Sequence, residues 1–173
     1  MQQPILTTKG ELNLNPSPAS SRDDFDFYVG NWNVRNRKLK TRLNGCTEWI
    51  EFDATQEMKK ILGGKGNIDL FHLPQEGATF EGMTLRLFNP VTRLWSIYWA
   101  DSDRVILDKP VMGSFENGIG HFYGHDQFNG KNILVVFVWD ARNKEEPVWS
   151  QAFSADEGRS WEWNWYMYMS RIA

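Results

Sequence analysis

The sequence predicts an all-β protein: an antiparallel up-and-down meander of about ten strands, closed into a barrel. Three observations lead there. From Phe25 onward the chain is made of short runs rich in Val, Ile, Thr, Trp, Tyr and Phe, punctuated by Gly, Asn and Pro. Three Asn-Gly pairs, Asn44-Gly45, Asn117-Gly118 and Asn129-Gly130, stand between such runs, and Asn-Gly accepts the two positive φ values of a type I′ hairpin turn. No segment sustains the apolar period of an amphipathic helix; residues 24–27 and 55–62 offer a turn or two. A two-sheet sandwich is the alternative architecture.

Residues 1–24 stand apart from the barrel proper, residues 25–173. Pro16, Pro18 and the run Ala19-Ser20-Ser21-Arg22-Asp23-Asp24 bring few large apolar side chains. They read as an extended arm across the domain or, alternatively, as a partly disordered tail. With Asn44-Gly45 as central turn residues, Leu39 faces Ile50, Lys38 faces Glu51, Arg37 faces Phe52 and Asn36 faces Asp53. The turn Phe88-Asn89-Pro90-Val91-Thr92-Arg93 sets Arg86 opposite Trp95, Thr84 opposite Ile97 and Gly82 opposite Trp99. Asn117-Gly118 and Asn129-Gly130 align three strands, with Phe115, Gly120 and Trp139 in one row and Gly113, Phe122 and Phe137 in the next. A glycine beside each ring leaves it room. His121, Tyr123 and His125 fall on the opposite face with Leu134, Val136 and Val138. A last hairpin through residues 154–161 sets Gln151 opposite Asn164 and Phe153 opposite Glu162.

Several strands are apolar on both faces, as where Met83, Leu85 and Leu87 oppose Leu94, Ser96 and Tyr98. A two-sided apolar sheet needs an outer cover, which the N-terminal arm or a second subunit in a homodimer would supply.

Composition narrows the function classes. The chain has 173 residues, 41% hydrophobic and 24% charged, enough for one domain with a full core. Its formal charge of −3 gives no overall pull toward nucleic acid or anionic membrane. One cysteine, Cys46, excludes an internal disulfide and a cysteine zinc cluster. No run is apolar enough for a membrane-spanning helix, nor does the N-terminus carry a signal-peptide core, so a soluble cytoplasmic protein is expected. Aromatics make up 14% of the residues, including 9 Trp.

The segment Asp24-Phe25-Asp26-Phe27-Tyr28-Val29-Gly30-Asn31-Trp32 sets Gly-x-Trp at the head of the first long strand, and Arg171 closes the last one. This resembles the calycin superfamily, the lipocalins and their relatives. Together with residues 80–90, 95–99, 151–154 and 161–165 it is similar to an uncharacterised bacterial family of lipocalin-like barrels. The resemblance covers about residues 24–171 and implies a lipocalin-like barrel in which Trp32 packs beneath Arg171 at the closed end, with Gly30 part of that signature. It brings no established activity.

Residues 154–161, Ser-Ala-Asp-Glu-Gly-Arg-Ser-Trp, match the Asp-box pattern of sialidase propellers, where it is a hairpin device remote from the active site. Asp156, Gly158 and Trp161 are therefore expected to be structural. His72, His121 and His125 are the only histidines, and His121 and His125 lie roughly 13 Å apart along one strand, so no metal site and no cofactor are implied. Nucleophile motifs are absent, and Gly63-Gly64-Lys65-Gly66 lacks P-loop spacing and a following helix. The basic run Arg35, Arg37, Lys38, Lys40 and Arg42 reads as a solvated face paired with Glu51 and Asp53, so no nucleic-acid partner is expected.

The remaining candidates are polar groups among aromatics: Arg86, Gln151, Glu162 and Asn164 in a lumen walled by Trp95, Trp99 and Tyr123, with His121 beside them. Parity separates the faces of the last hairpin without choosing the inner one. Either Trp149, Gln151, Glu162, Asn164 and Tyr166 face inward, or Trp161, Trp163, Trp165, Met167 and Met169 do. The leading reading is a barrel that binds a small hydrophobic or aromatic ligand. A second is a barrel enzyme using Glu162, or Tyr123 with His121, as acid or base, with Arg86 holding an anionic group. A third is a filled structural barrel that oligomerises through its outer face.

Overall fold

A computed structural model of the chain describes residues 5–6, 10–76 and 78–172. Two short strands, β1 (Ile5–Leu6) and β2 (Leu12–Asn13), pair with each other. Ten strands follow: β3 (Gly30–Leu39), β4 (Trp49–Ile61), β5 (Gly66–Gln75), β6 (Ala78–Asn89), β7 (Leu94–Asp101), β8 (Val111–Glu116), β9 (Ile119–Phe128), β10 (Lys131–Asp140), β11 (Val148–Ser154) and β12 (Glu162–Arg171). Each pairs antiparallel with its sequence neighbours, and β12 returns to β3, so the sheet is a closed barrel. Among the described residues helix is limited to two 3₁₀ turns at Asp26–Tyr28 and Leu62–Gly64; the predicted turn over residues 55–62 is instead strand up to Ile61. Among the described residues no helix is long and apolar enough to cross a membrane.

Turn chemistry set the register where the turns are tight. Asn117 and Gly118, and likewise Asn129 and Gly130, all have positive φ, and the expected pairs Phe115 with Gly120, Gly113 with Phe122 and Trp139 with Gly120 form. Elsewhere the register differs. At the first hairpin positive φ falls on Leu43 and Gly45 rather than on Asn44 and Gly45. The connection is a nine-residue loop between Leu39 and Trp49. Lys38 therefore faces Ile50, Arg37 faces Glu51 and Asn36 faces Phe52, one residue from the expected pairing. The Asn89 turn uses its side chain as a cap, accepting from the Val91 and Thr92 amides at 2.9 and 3.2 Å, and Asn89 pairs with Leu94. This moves the register by two, so Arg86 faces Ile97 and Thr84 faces Trp99, and each side chain keeps its face. In the last hairpin Phe153 does face Glu162, but a bulge at Gln151/Ala152 sets Gln151 opposite Trp165.

That bulge settles the inner face by drawing on both alternatives. Trp149, Gln151 and Phe153 of β11 point inward with Trp165, Met167 and Met169 of β12, and Asn164 is fully buried beside them. Trp163, Tyr166 and Tyr168 form an outer ladder, stacked at 6.3 Å between successive ring centroids.

The outer cover over part of the barrel is the N-terminal arm. Leu12 and Leu14 pack on an apolar patch of Tyr123, Val136, Val138, Ala152, Trp161 and Trp163. Farther along, the Ser17 amide donates to Ser114 Oγ at 3.0 Å. Arg93 then holds the Pro18 and Ser20 carbonyls, and Trp95 Nε1 donates to the Ser21 carbonyl and to Asp24. Of the arm expected over residues 1–24, residues 1–4 and 7–9 lie outside the described residues.

Candidate functional site

The arm delivers Phe25, Phe27 and Tyr28 into one end of the barrel, where they form a closed aromatic plug. Phe25 meets Trp95 and Phe115 edge-on, each at 5.0 Å, and Tyr28 meets Trp139 at 4.7 Å. Trp32 is fully buried against Tyr28, and its Nε1 donates to the Tyr28 carbonyl at 2.9 Å. The Arg171 guanidinium lies over Trp32 at 4.3 Å from the ring centroid and donates to the Phe27 and Val29 carbonyls. Gly30 takes a φ of +117° at this point, with Arg171 Nη1 3.4 Å from where a Cβ would stand.

Above the plug lies a buried polar cluster. The Arg86 guanidinium is ion-paired to Asp69, and its Nη1 also donates to Asn67 Oδ1 at 3.0 Å. Gln56 donates to the other Asp69 oxygen and accepts from the Tyr28 hydroxyl at 2.5 Å. Burial, reinforced by the Asp69 charge, pushes the Tyr28 phenol well above its ordinary value, so it keeps its proton and donates it to Gln56. Arg86 rests on the plug, its guanidinium carbon 4.9 Å from the Phe25 ring and 5.5 Å from Trp139.

Arg86 and Gln56 are also the floor of a cavity of about 420 Å³ that runs to the opposite rim of the barrel. Its walls are chiefly aromatic and sulfur-containing: Trp99, Phe137, Trp149, Phe153, Trp165 and Met167. The Trp99 ring occupies space that only a glycine at position 82 leaves, since a Cβ there would lie 2.1 Å from its Cη2. The rim carries charge. Arg104 pairs with Asp101 and Asp108 at 3.0 and 2.7 Å, and Trp99 Nε1 donates to Asp101 at 3.1 Å. Across from them stand Lys38 and Arg42. Lys38 Nζ lies 3.8 Å from the Trp165 centroid, and the Arg42 guanidinium lies near the Phe128 and Phe153 rings. Burial, with the Arg42 charge adding to it and Asp101 opposing, brings the Lys38 amine down to about 8.

The expected site residues divide into separate places. Arg86, Trp99 and Gln151 line the cavity. Asn164 is buried behind Gln151, accepting from its amide at 2.8 Å. Trp95, expected as a wall, is part of the closed-end plug. His121 and Tyr123 stack on each other at 6.5 Å on the outer surface, Tyr123 beneath the arm. Glu162 is a loop anchor: its two carboxylate oxygens accept the Leu43 amide at 2.8 and 3.0 Å. The acid and base groups of the enzyme reading are thus dispersed. The Asp156 carboxylate closes its own turn, accepting from the Ser160 amide and the Ser154 and Ser160 hydroxyls. Gly158 has a φ of +86°, and Trp161 packs outward near Tyr123. Among the described residues no three His, Cys, Asp or Glu side chains converge as metal ligands do.

The basic run divides by strand parity. Arg35 pairs with Glu51 at 2.7 Å and Lys40 with Glu48 at 2.9 Å, both exposed as expected. Lys38 and Arg42 instead reach the cavity rim. They are the site residues the run concealed, and the off-by-one register is what hid Lys38.

A scan against protein-family models found no match for this chain, and a search of curated proteins found none either.

Proposed function

We propose that the protein is a lipocalin-like carrier of calycin type that binds a small hydrophobic or aromatic molecule in its lumen. The observation that supports this is the aromatic-walled cavity of about 420 Å³, a size within the range of small-molecule sites, which are mostly apolar with a few placed polar groups. Here Arg86 and Gln151 supply those polar groups, and Trp99, Trp149 and Trp165 the flat apolar surface. The closed end, with Arg171 over Trp32, gives the lumen a floor and leaves one entrance.

Three wall tryptophans make fluorescence the direct test. Titration with apolar aromatic compounds such as naphthalene derivatives is expected to quench emission saturably at a stoichiometry of one. A lumen-filling variant, Thr84→Phe, is expected to abolish it while unfolding as cooperatively as the parent. Non-saturable quenching, or saturation unaffected by Thr84→Phe, would reject lumen binding.

A further inference from the structure

We infer that the lumen ligand is an organic carboxylate, its apolar body among the aromatic walls and its carboxylate held at the rim by Lys38 and Arg42. This rests on the lumen-binding reading above and names the chemical class of its ligand.

Both cations belong to the rim of the same cavity, and the rings they rest on, Trp165, Phe128 and Phe153, line it. Both rest on aromatic faces. Among the described residues neither Lys38 Nζ nor the Arg42 guanidinium has a hydrogen bond or an ion pair, and Arg42 Nε is buried without a partner. The other charges at the rim are largely engaged. Arg104 is shared between Asp101 and Asp108, and Asp101 also takes the Trp99 indole N–H. Asp126 accepts the Gln127 amide, while Lys109 and His125 complete the rim. Glu162 acts electrostatically on Arg42 but turns both oxygens to the Leu43 amide.

Two half-buried like charges with no hydrogen-bonded counter-ion are costly, and the Lys38 amine, brought down to about 8 by burial and by Arg42 against the opposing pull of Asp101, registers that cost. An entering anion removes it. A carboxylate also fits the planar guanidinium fork and accepts from an ammonium. The remainder of the ligand is mainly apolar, because the cavity below the rim offers Trp99, Phe137, Trp149 and Met167, with Gln151 among them, before it reaches Arg86. Arg86 Nε is likewise buried without a partner, but the charge of that guanidinium is neutralised by Asp69 at the floor, so the carboxylate belongs at the rim.

The test is a matched series of ω-phenylalkanoates, from phenylacetate upward, and their primary amides, titrated into the full chain by calorimetry at pH 7 and pH 9.5. The acids are expected to bind about tenfold or more tightly than the amides at pH 7. The preference should shrink at pH 9.5, where Lys38 has lost its proton. Lys38→Met and Arg42→Met should each bring the acids close to the amides, and Lys38→Arg should retain the preference at both pH values. Near-ultraviolet circular dichroism checks that each variant is folded. Equal affinity of acids and amides would overturn the carboxylate inference and leave lumen binding standing. Binding of neither series would overturn both.

Discussion

The Arg171 guanidinium stands 4.3 Å from the centre of the Trp32 ring, tying the last barrel strand to the first. It also donates to the Phe27 carbonyl at 2.7 Å and the Val29 carbonyl at 3.1 Å, so one side chain holds both the barrel seam and the plug. Arg171→Met keeps the apolar stem and removes the charge, both bonds and the exposed ion pair with Glu145 at 3.2 Å. The group is partly exposed, so water replaces part of what is lost. The expected destabilisation is about 1–2 kcal/mol, read as a lower urea midpoint at unchanged slope. An unchanged midpoint would show that the contact carries no stability.

The Arg86–Asp69 pair lies under the lumen with both side chains almost wholly buried. Removing one partner leaves the other charge without compensation. Arg86→Met is expected to cost about 3–5 kcal/mol, whereas an Asp69→Asn/Arg86→Met double variant should cost less than the sum of the two singles. Urea denaturation of the four proteins gives the coupling. Additive effects would mean that the pair does not act as a unit.

The fold was legible because its signals are local. Asn117-Gly118 and Asn129-Gly130 dictate positive φ at both turn positions and hence the pairing of β8, β9 and β10. The Gly-x-Trp segment and Arg171 met as the resemblance implied. The site was harder to read because it depends on two irregularities that no residue pattern announces. A longer first connection moves Lys38 from a partner at Glu51 to one at Ile50 and leaves its side chain turned toward the lumen. A bulge after Gln151 brings Asn164 and Trp165 to the interior together, where strict alternation allows only one of them. Period-two reasoning likewise put Tyr123 on one face with Val136, but took Tyr123 as a lumen wall; the path of Leu12 and Leu14 over both shows that this face lies outside.

Gly82 is where the lumen wall is most sensitive to a single methyl group. An added Cβ would stand 2.1 Å from Cη2 of Trp99 and 2.6 Å from Cζ2, deep inside contact distance. Gly82→Ala must therefore displace the indole, and with it the Trp99 Nε1 bond to Asp101. The expected cost is about 1–3 kcal/mol, with a shift in tryptophan emission. Gly82→Ala/Trp99→Leu should recover much of the stability, since the smaller side chain vacates the space. Failure of that rescue would place the cost in the β6 backbone instead of in the collision with Trp99.

The turn at residues 154–161 predicts an acid-dependent term in stability. Asp156 accepts from the Ser160 hydroxyl at 2.6 Å, the Ser160 amide at 2.9 Å and the Ser154 hydroxyl at 2.8 Å. These bonds, those from Ser160 foremost, hold its carboxyl at about 2, below the ordinary aspartate value of about 3.9. Between those two values the unfolded chain binds the proton and the folded chain does not. The contribution is therefore complete above about pH 4 and is lost as pH falls through about 2. Asp101, Asp140 and Glu51 are also held low by their arginine partners and share the acid limb, so the informative quantity is a difference. Asp156→Asn keeps the shape of the side chain and cannot titrate. The urea midpoint of the parent is expected to exceed that of the variant at pH 7 and pH 4, and the gap should narrow toward pH 2. A gap that stays constant across that range would show that the turn does not depend on the ionised carboxylate.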